Sequence, residues 1–358
     1  MRGMLLSFYN PGKILPLYFI RTHWNGSNFM LLLAIAALIV GLIALMWSAD
    51  HFVNSAAVTA RHLGMSPMLI GLTIVAIGTS APEILVSLTA ALKGSGDLAV
   101  GNALGSNIAN IGMVLGLTLL IAPIRVNKRL MGKELPLLAA ITLVSGAILY
   151  DNSITFIEGV LMIAGLIAAM VLINYWQKKP DDEPLTSIGE ESEDEIQEMP
   201  QTKATLILVG SLALLLVSSN ILVESATYIA RYFGISELII GLTIVAIGTS
   251  LPELAASVAS ALKGHPDMAL GNIIGSNMFN LLAVMAVPGL VAPGSISPEA
   301  LIRDYPAMCA LTLLLMALTL IGKKPRVLGR ISGLVLCSGY IAYAGYIAFG
   351  GMLIATAS

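Results

Sequence analysis

Charge is what this chain has least of. Asp, Glu, Lys and Arg make up 11% of its 358 residues, against about a quarter in an ordinary soluble domain. Apolar residues make up 57% and mean hydropathy is +0.87, so composition alone excludes a soluble globular protein. Cysteine is scarce too: Cys309 and Cys337 both fall in late apolar segments and build no disulfide framework. The four histidines (His23, His51, His62 and His265) lie near segment ends or in loops, so no zinc or copper cluster is foreshadowed. There is neither a phosphate-binding Walker loop nor an aspartyl-phosphate motif. An ATP-driven pump is thereby excluded, and ion gradients are left to supply any work.

What the chain does have is long apolar runs. Segments of roughly 20 such residues cross ~30 Å of hydrocarbon as helix. They recur near 30–48, 68–92, 98–122, 134–150, 153–175, 204–229, 238–262, 268–292, 305–321 and 329–350. The expected fold class is an all-α membrane protein of ten transmembrane helices. Residues 1–29 fit the pattern poorly, as an extension that forms a short helix, a tail or a stretch upstream of a start at Met30, and no function is assigned to them. With the N-terminus outside, 13 of the 19 basic residues fall in inner loops; only Arg2, Lys13, Arg21, Lys93, Arg231 and Arg303 fall outside. The positive-inside rule favours that orientation, with both termini extracytoplasmic. Asp50 and Glu224 read as interfacial acids, with lining of an entrance as the alternative.

Residues 176–203 break the pattern. Asp181–Glu198, DDEPLTSIGEESEDEIQE, is nine parts acid in 18 and reads as a solvated cytoplasmic linker. It lacks the spaced acids and central glycine of a calcium-binding loop. On either side lie two five-span halves, 30–175 and 204–358, and they are copies. A shift of 170 residues aligns Ile70–Asn110 with Ile240–Asn280 without a gap, with 26 of 41 positions identical. Five is odd, so the second copy enters the membrane from the opposite face. Inverted repeats of this kind are a mark of transporters with a mid-membrane site.

Each copy carries an acid where hydrocarbon should be. GTSAPE (Gly78–Glu83) and GTSLPE (Gly248–Glu253) place Glu83 and Glu253 well inside their spans, at a cost of about 2.5–3.5 kcal/mol each for a lone mid-membrane acid. No Lys or Arg lies at that depth in either repeat, so protons or bound cations must compensate. Pro82 and Pro252 lack an N–H and break the helix, and carbonyls around Ala76–Thr79 are expected to lose their partners and to line a cavity or bind an ion. In the next span Asn102, Ser106 and Asn110, and again Asn272, Ser276 and Asn280, are spaced to share one helix face. Asn102 and Asn272 read as interhelical hydrogen bonders, and Asn110 and Asn280 as midplane groups. Gly101, Gly105, Gly271 and Gly275 read as close-packing positions. Hard oxygen ligands in this number suit Ca2+ better than Mg2+. Two carboxylates are balanced by one Ca2+, by two monovalent cations or by two protons.

GTSAPE and GTSLPE, with GNALGSNIAN (Gly101–Asn110) and GNIIGSNMFN (Gly271–Asn280) after them, resemble the signature repeats of the calcium/cation antiporter superfamily, specifically its bacterial sodium/calcium exchanger branch. The resemblance spans roughly 30–350. It implies ten helices in two inverted five-helix repeats, in a bacterial inner membrane, with the first and sixth helices sliding over the ion-binding core. It further implies transported Ca2+ and Na+, or H+, no bound cofactor, no nucleic acid and no obligate protein partner. By matched positions Glu83 and Glu253 become shared ligands of Ca2+ and Na+, with the carbonyls of Thr79 and Thr249 on Ca2+. Ser80, Ser250, Ser106 and Ser276, with the carbonyls of Ala76 and Ala246, serve the outer Na+ sites, and Asn110 and Asn280 line the centre. Proton-coupled members usually carry an asparagine-containing variant of GTS, which favours sodium. Some sodium-coupled members place an aspartate at a midplane position where this chain has Asn. The reading is a Ca2+/Na+ antiporter rather than an enzyme, with a Ca2+/H+ antiporter, a cation channel and a membrane protein with vestigial sites as alternatives.

Overall fold

In the computed structural model, the structure describes residues 27–126, 130–177, 199–234, 246–320 and 326–357. The acidic stretch 181–198, the first residues of the seventh expected span and most of the N-terminal extension lie outside them. The described residues are mostly helical. In chain order the helices are α1 (Ser27–His62), α2 (Pro67–Thr79 and, after a break, Ala81–Leu92), α3 (Gly96–Ile121), α4 (Leu130–Asp151) and α5 (Phe156–Gln177). They continue as α6 (Gln201–Tyr232), α7 (Ala246–Thr249 and Leu251–Leu262), α8 (Pro266–Val291), α9 (Ala300–Leu320) and α10 (Arg330–Ala357). Among the described residues seven are long and apolar enough to cross a membrane, and α2 makes an eighth if its two parts count as one span. Of α7 only the part from Ala246 is described.

The helices start and stop where local chemistry requires. Ser66 caps α2 by accepting from the Leu69 N–H at 3.2 Å, with Pro67 at the first position, where a missing N–H costs nothing. α2 and the described part of α7 end in matching turns: the Ser95 N–H reaches the Ala90 carbonyl and the His265 N–H the Ser260 carbonyl, each at 2.9 Å. Gly94 and Gly264 hold the left-handed conformation these turns demand, at φ 74° and 76°. The prolines of the two motifs act as expected. The two parts of α2 meet at 43°, and the joints, Ser80 (φ −83°, ψ 5°) and Ser250 (φ −90°, ψ 6°), adopt nearly the same non-helical geometry.

Burial ranks the helices. In their apolar cores 78% of α3 and 83% of α8 is buried, against 17–39% for α1, α4, α5, α6 and α9. α3 and α8 therefore form the centre. α8 packs along the first part of α2, where Gly71 faces Gly271 and Gly275 faces Leu72 and Ala76; these glycines make the close approach expected of Gly271 and Gly275. The end of α3 is covered by α10 and the end of α8 by α5, while α1 and α6 lie side by side. Two short antiparallel pairs tie the halves together. Ile124–Arg125 joins Val327–Leu328, and Ser153–Ile154 joins Gly294–Ser295.

α1 continues beyond its apolar span, which ends near residue 48, to His62, so Asp50 lies within the helix rather than at its tip. Its carboxylate meets Lys263 at the end of α7 at 2.6 Å. Both groups are partly exposed, so the pair is worth at most about 1 kcal/mol. Glu224 is exposed on α6.

Candidate ion site at the paired motifs

Helix breaks and polar faces meet at the centre of the molecule. Glu83 and Glu253 each sit in the first turn after a break and are 1% exposed. The halves join here: the Ser80 hydroxyl donates to Glu253 Oε1 at 3.4 Å. Thr79 Oγ1 donates to Asn272 Oδ1 at 3.1 Å and lies 3.4 Å from Ser276 Oγ. The first motif therefore faces the α7 carboxylate and the polar face of α8. Asn110, Asn280, Ser106, Ser250 and Ser276 are buried too, the turn that Asn280 opens packing on the second part of α2 and the turn that Asn110 opens on the second part of α7, and Thr249 is half-buried at the equivalent break in α7. Asn110 and Asn280 each open a π-helical turn, Asn110–Leu115 and Asn280–Val284, a local widening that recurs at functional sites.

Much of this polar surface is unspent. Glu83 Oε2, Glu253 Oε2, Ser250 Oγ, Asn110 Oδ1 and both amide atoms of Asn280 are buried with no hydrogen-bond partner among the described residues. Buried polar atoms are normally paired, and each orphan costs about 1–3 kcal/mol. Among the described residues no ion pair reaches either glutamate, and no group of three or more His, Cys, Asp or Glu is assembled anywhere. What the centre offers is two carboxylates among neutral hydroxyl and amide oxygens, a donor set for a hard cation.

Asn102 and Asn272 play the packing role expected of them. Asn102 Nδ2 donates to the Glu83 carbonyl at 3.1 Å and to Ser87 Oγ at 3.2 Å; Asn272 Nδ2 donates to the Glu253 carbonyl at 3.3 Å and to Ser257 Oγ at 3.0 Å. Asn272 is fully buried and also accepts from Thr79. Removing it strands three groups, whereas Asn102 serves two and is half-buried. Asn272→Ala should therefore destabilise the protein by about 1–3 kcal/mol, more than Asn102→Ala. Thermal unfolding in detergent would test the order, and a larger loss for Asn102→Ala would refute it.

Residues outside the predicted set also belong here. Ser87 and Ser257 are the buried acceptors just described, one turn beyond each glutamate, and their place in both copies was the available signal. Asn107 reaches across to the Asn277 carbonyl at 3.2 Å, linking α3 to α8 beside Ser276. One expectation needs correcting. The Ala76 carbonyl keeps a helical partner, accepting the Ser80 N–H at 3.0 Å. The reason is arithmetic: a helical N–H bonds four residues back, so Pro82 releases Gly78 and Pro252 releases Gly248. Of Ala246, which opens the first part of α7, the side chain lies outside the described residues.

The sodium/calcium exchanger protein family matches residues 33–175 and 203–349, that is, both halves without the acidic stretch. The chain is 51% identical to CaxA of Alkalimonas amylolytica, over 86% of this chain and 96% of CaxA. It is 41% identical to inner membrane protein YrbG of Escherichia coli, over 79% of this chain and 88% of YrbG. Its fold is similar to that of the sodium-calcium exchanger NCX_Mj soaked without Na+ and Ca2+, with a TM-score of 0.75 and 30% identity over 88% of this chain and 99% of that one. With this fold, these matches and two copies of one acid-bearing motif at its centre, the chain is a multi-pass membrane protein that belongs to the sodium/calcium exchanger family.

Proposed function

We propose that this protein is a secondary antiporter that exchanges Ca2+ for Na+ by alternating access at the paired motifs. The observation that carries the reading is the buried pair Glu83 and Glu253, one from each copy, beside oxygens that lack partners among the described residues and with no ion pair to either glutamate among them. An empty site with two uncompensated charges is costly in a membrane; one Ca2+ or monovalent cations relieve it in turn, which is the basis of exchange. In this reading ten helices cross a bacterial inner membrane as two inverted repeats with both termini outside. Glu83 and Glu253 hold either ion, with the carbonyls of Thr79 and Thr249 on Ca2+. Ser80, Ser250, Ser106 and Ser276 and the carbonyls of Ala76 and Ala246 serve Na+, while Asn110 and Asn280 line the centre. The named relatives support it: one is sodium/calcium exchanger MaX1 of Methanosarcina acetivorans, 30% identical over 81% of this chain.

Proton coupling is the second reading, since two buried carboxylates also accept protons. Uptake of radiolabelled Ca2+ into proteoliposomes separates the two. Uptake driven by internal Na+ alone supports the proposal, and uptake driven by a pH gradient with choline in place of Na+ replaces it with a Ca2+/H+ antiporter. Currents through single open pores would make it a channel. In the proposed reading Ser80 serves Na+, so Ser80→Ala should weaken Na+ several-fold more than Ca2+. Equal loss for both ions would remove that assignment.

A further inference from the structure

The two motifs are nearly identical in sequence, yet one of them is held from outside. Pro252 has no N–H, so the Gly248 carbonyl, four residues back, has no helical donor. The Ser219 hydroxyl supplies one, donating to Gly248 O at 3.0 Å from α6. Ser219 is 5% exposed. Val223, four residues on and on the same face of α6, lies over the same glycine: a Cβ built on Gly248 would meet Val223 Cγ2 at 2.1 Å. The same shift of 170 residues that superposes the motifs puts Ala49 of α1 at the place of Ser219. Ala49 is buried and has no hydroxyl to give. The Gly78 carbonyl, released by Pro82 in the same way, has no side-chain donor among the described residues, and α6 covers that glycine with the methyl groups of Leu212.

We propose that Ser219 is a positioning residue of the ion site: by holding the proline-released Gly248 carbonyl it sets the geometry of the second motif, and no side chain among the described residues gives the first motif such support. The inference rests on the reading of the paired motifs as the ion site. Gly248 precedes Thr249 and Ser250, so the orientation of its peptide plane governs where the Thr249 carbonyl and the Ser250 hydroxyl point. The hydroxyl also belongs to α6, outside α2, α3, α7 and α8, which carry the proposed ligands. It therefore links the seating of α6 to the shape of the site, on one side of the pseudo-symmetry only.

Ion-exchange kinetics in proteoliposomes test this, with radiolabelled Ca2+ against internal Na+. Ser219→Ala is expected to raise the half-saturating ion concentration roughly five-fold, the size of one lost hydrogen bond, with the maximal rate within about two-fold of wild type. Ser219→Thr keeps the hydroxyl and should restore the wild-type value. Ser218→Ala is the matched control. Ser218 is equally buried, but its hydroxyl donates to the Leu215 carbonyl of its own helix at 3.1 Å, so its half-saturation should not move. An unchanged half-saturation in Ser219→Ala, an equal shift in Ser218→Ala, or failure of Ser219→Thr to restore it would each overturn the proposal. Glu253→Gln, run alongside, tells the two failures apart. If it transports normally the site reading fails, and if it is dead while Ser219→Ala is normal only the role of Ser219 fails.

Discussion

Glu253→Gln is expected to lower Ca2+ uptake by about a hundred-fold or more while leaving the protein folded, and Glu83→Gln to do the same. Each substitution keeps shape and volume and removes one of two negative charges. A Ca2+ in the altered site carries an uncompensated positive charge at mid-membrane, which costs about 2.5–3.5 kcal/mol even on the lenient scale. At 1.36 kcal/mol per ten-fold that is about two orders of magnitude. Folding should survive because the amide introduced in Glu253→Gln would still offer an oxygen to the Ser80 hydroxyl, which now donates to Glu253 Oε1. It would also relieve the desolvation of an unpaired charge. Flux in proteoliposomes and a monodisperse elution profile in detergent are the two readouts. Uptake within two-fold of wild type in either variant would mean that the carboxylates do not carry the ion.

The second large effect is structural. A methyl group on Gly71 would lie 2.4 Å from the Met268 carbonyl oxygen, 3.0 Å from the Asn272 nitrogen and 3.1 Å from the Gly271 Cα. The approach is reciprocal, since a Cβ on Gly271 would stand 2.5 Å from the Met68 carbonyl oxygen. All of these neighbours are backbone and cannot rotate aside, so Gly71→Ala must push α2 off α8. Overpacking usually costs about 1–3 kcal/mol, and here about 3 kcal/mol or more is expected because the helices themselves must move. The thermal midpoint in detergent should fall by about 4 °C or more. Gly210→Ala, on an exposed stretch of α6 with no atom within 4 Å of the added carbon, should leave it unchanged or raise it slightly. Equal melting of the two variants would show that the crossing yields more readily than its geometry implies. The displacement would also carry Asn272 away from Thr79, so ion exchange should weaken together with stability.

Much of the candidate site was legible because its signals are local. A glutamate behind a proline in an apolar run is anomalous within twenty residues, and its recurrence 170 residues later removes chance. The shared face of Asn102, Ser106 and Asn110 follows from helical period alone. The carbonyl at Ala76 was misjudged because a proline's reach along a helix was blurred to four residues when it is one. Ser219 stayed hidden for a different reason: a serine in an apolar helix is ordinary, and its first-half counterpart, Ala49, gives no echo to find.

By itself the sequence determined the membrane class, the two copies, the breaks at Ser80 and Ser250 and the two intramembrane acids. These depend on hydropathy, period and proline chemistry, which act over one or two turns. Only the tertiary structure decided that Thr79 and Ser80 of the first motif reach the polar face of α8 and the α7 carboxylate while Asn102 of its own half holds the Glu83 carbonyl, that α3 and α8 are central, and that α6 caps one released carbonyl and not the other. Those contacts join residues 19 to 197 positions apart. Two copies with the same apolar pattern present the same faces, so only the way the chains cross selects which face each one meets.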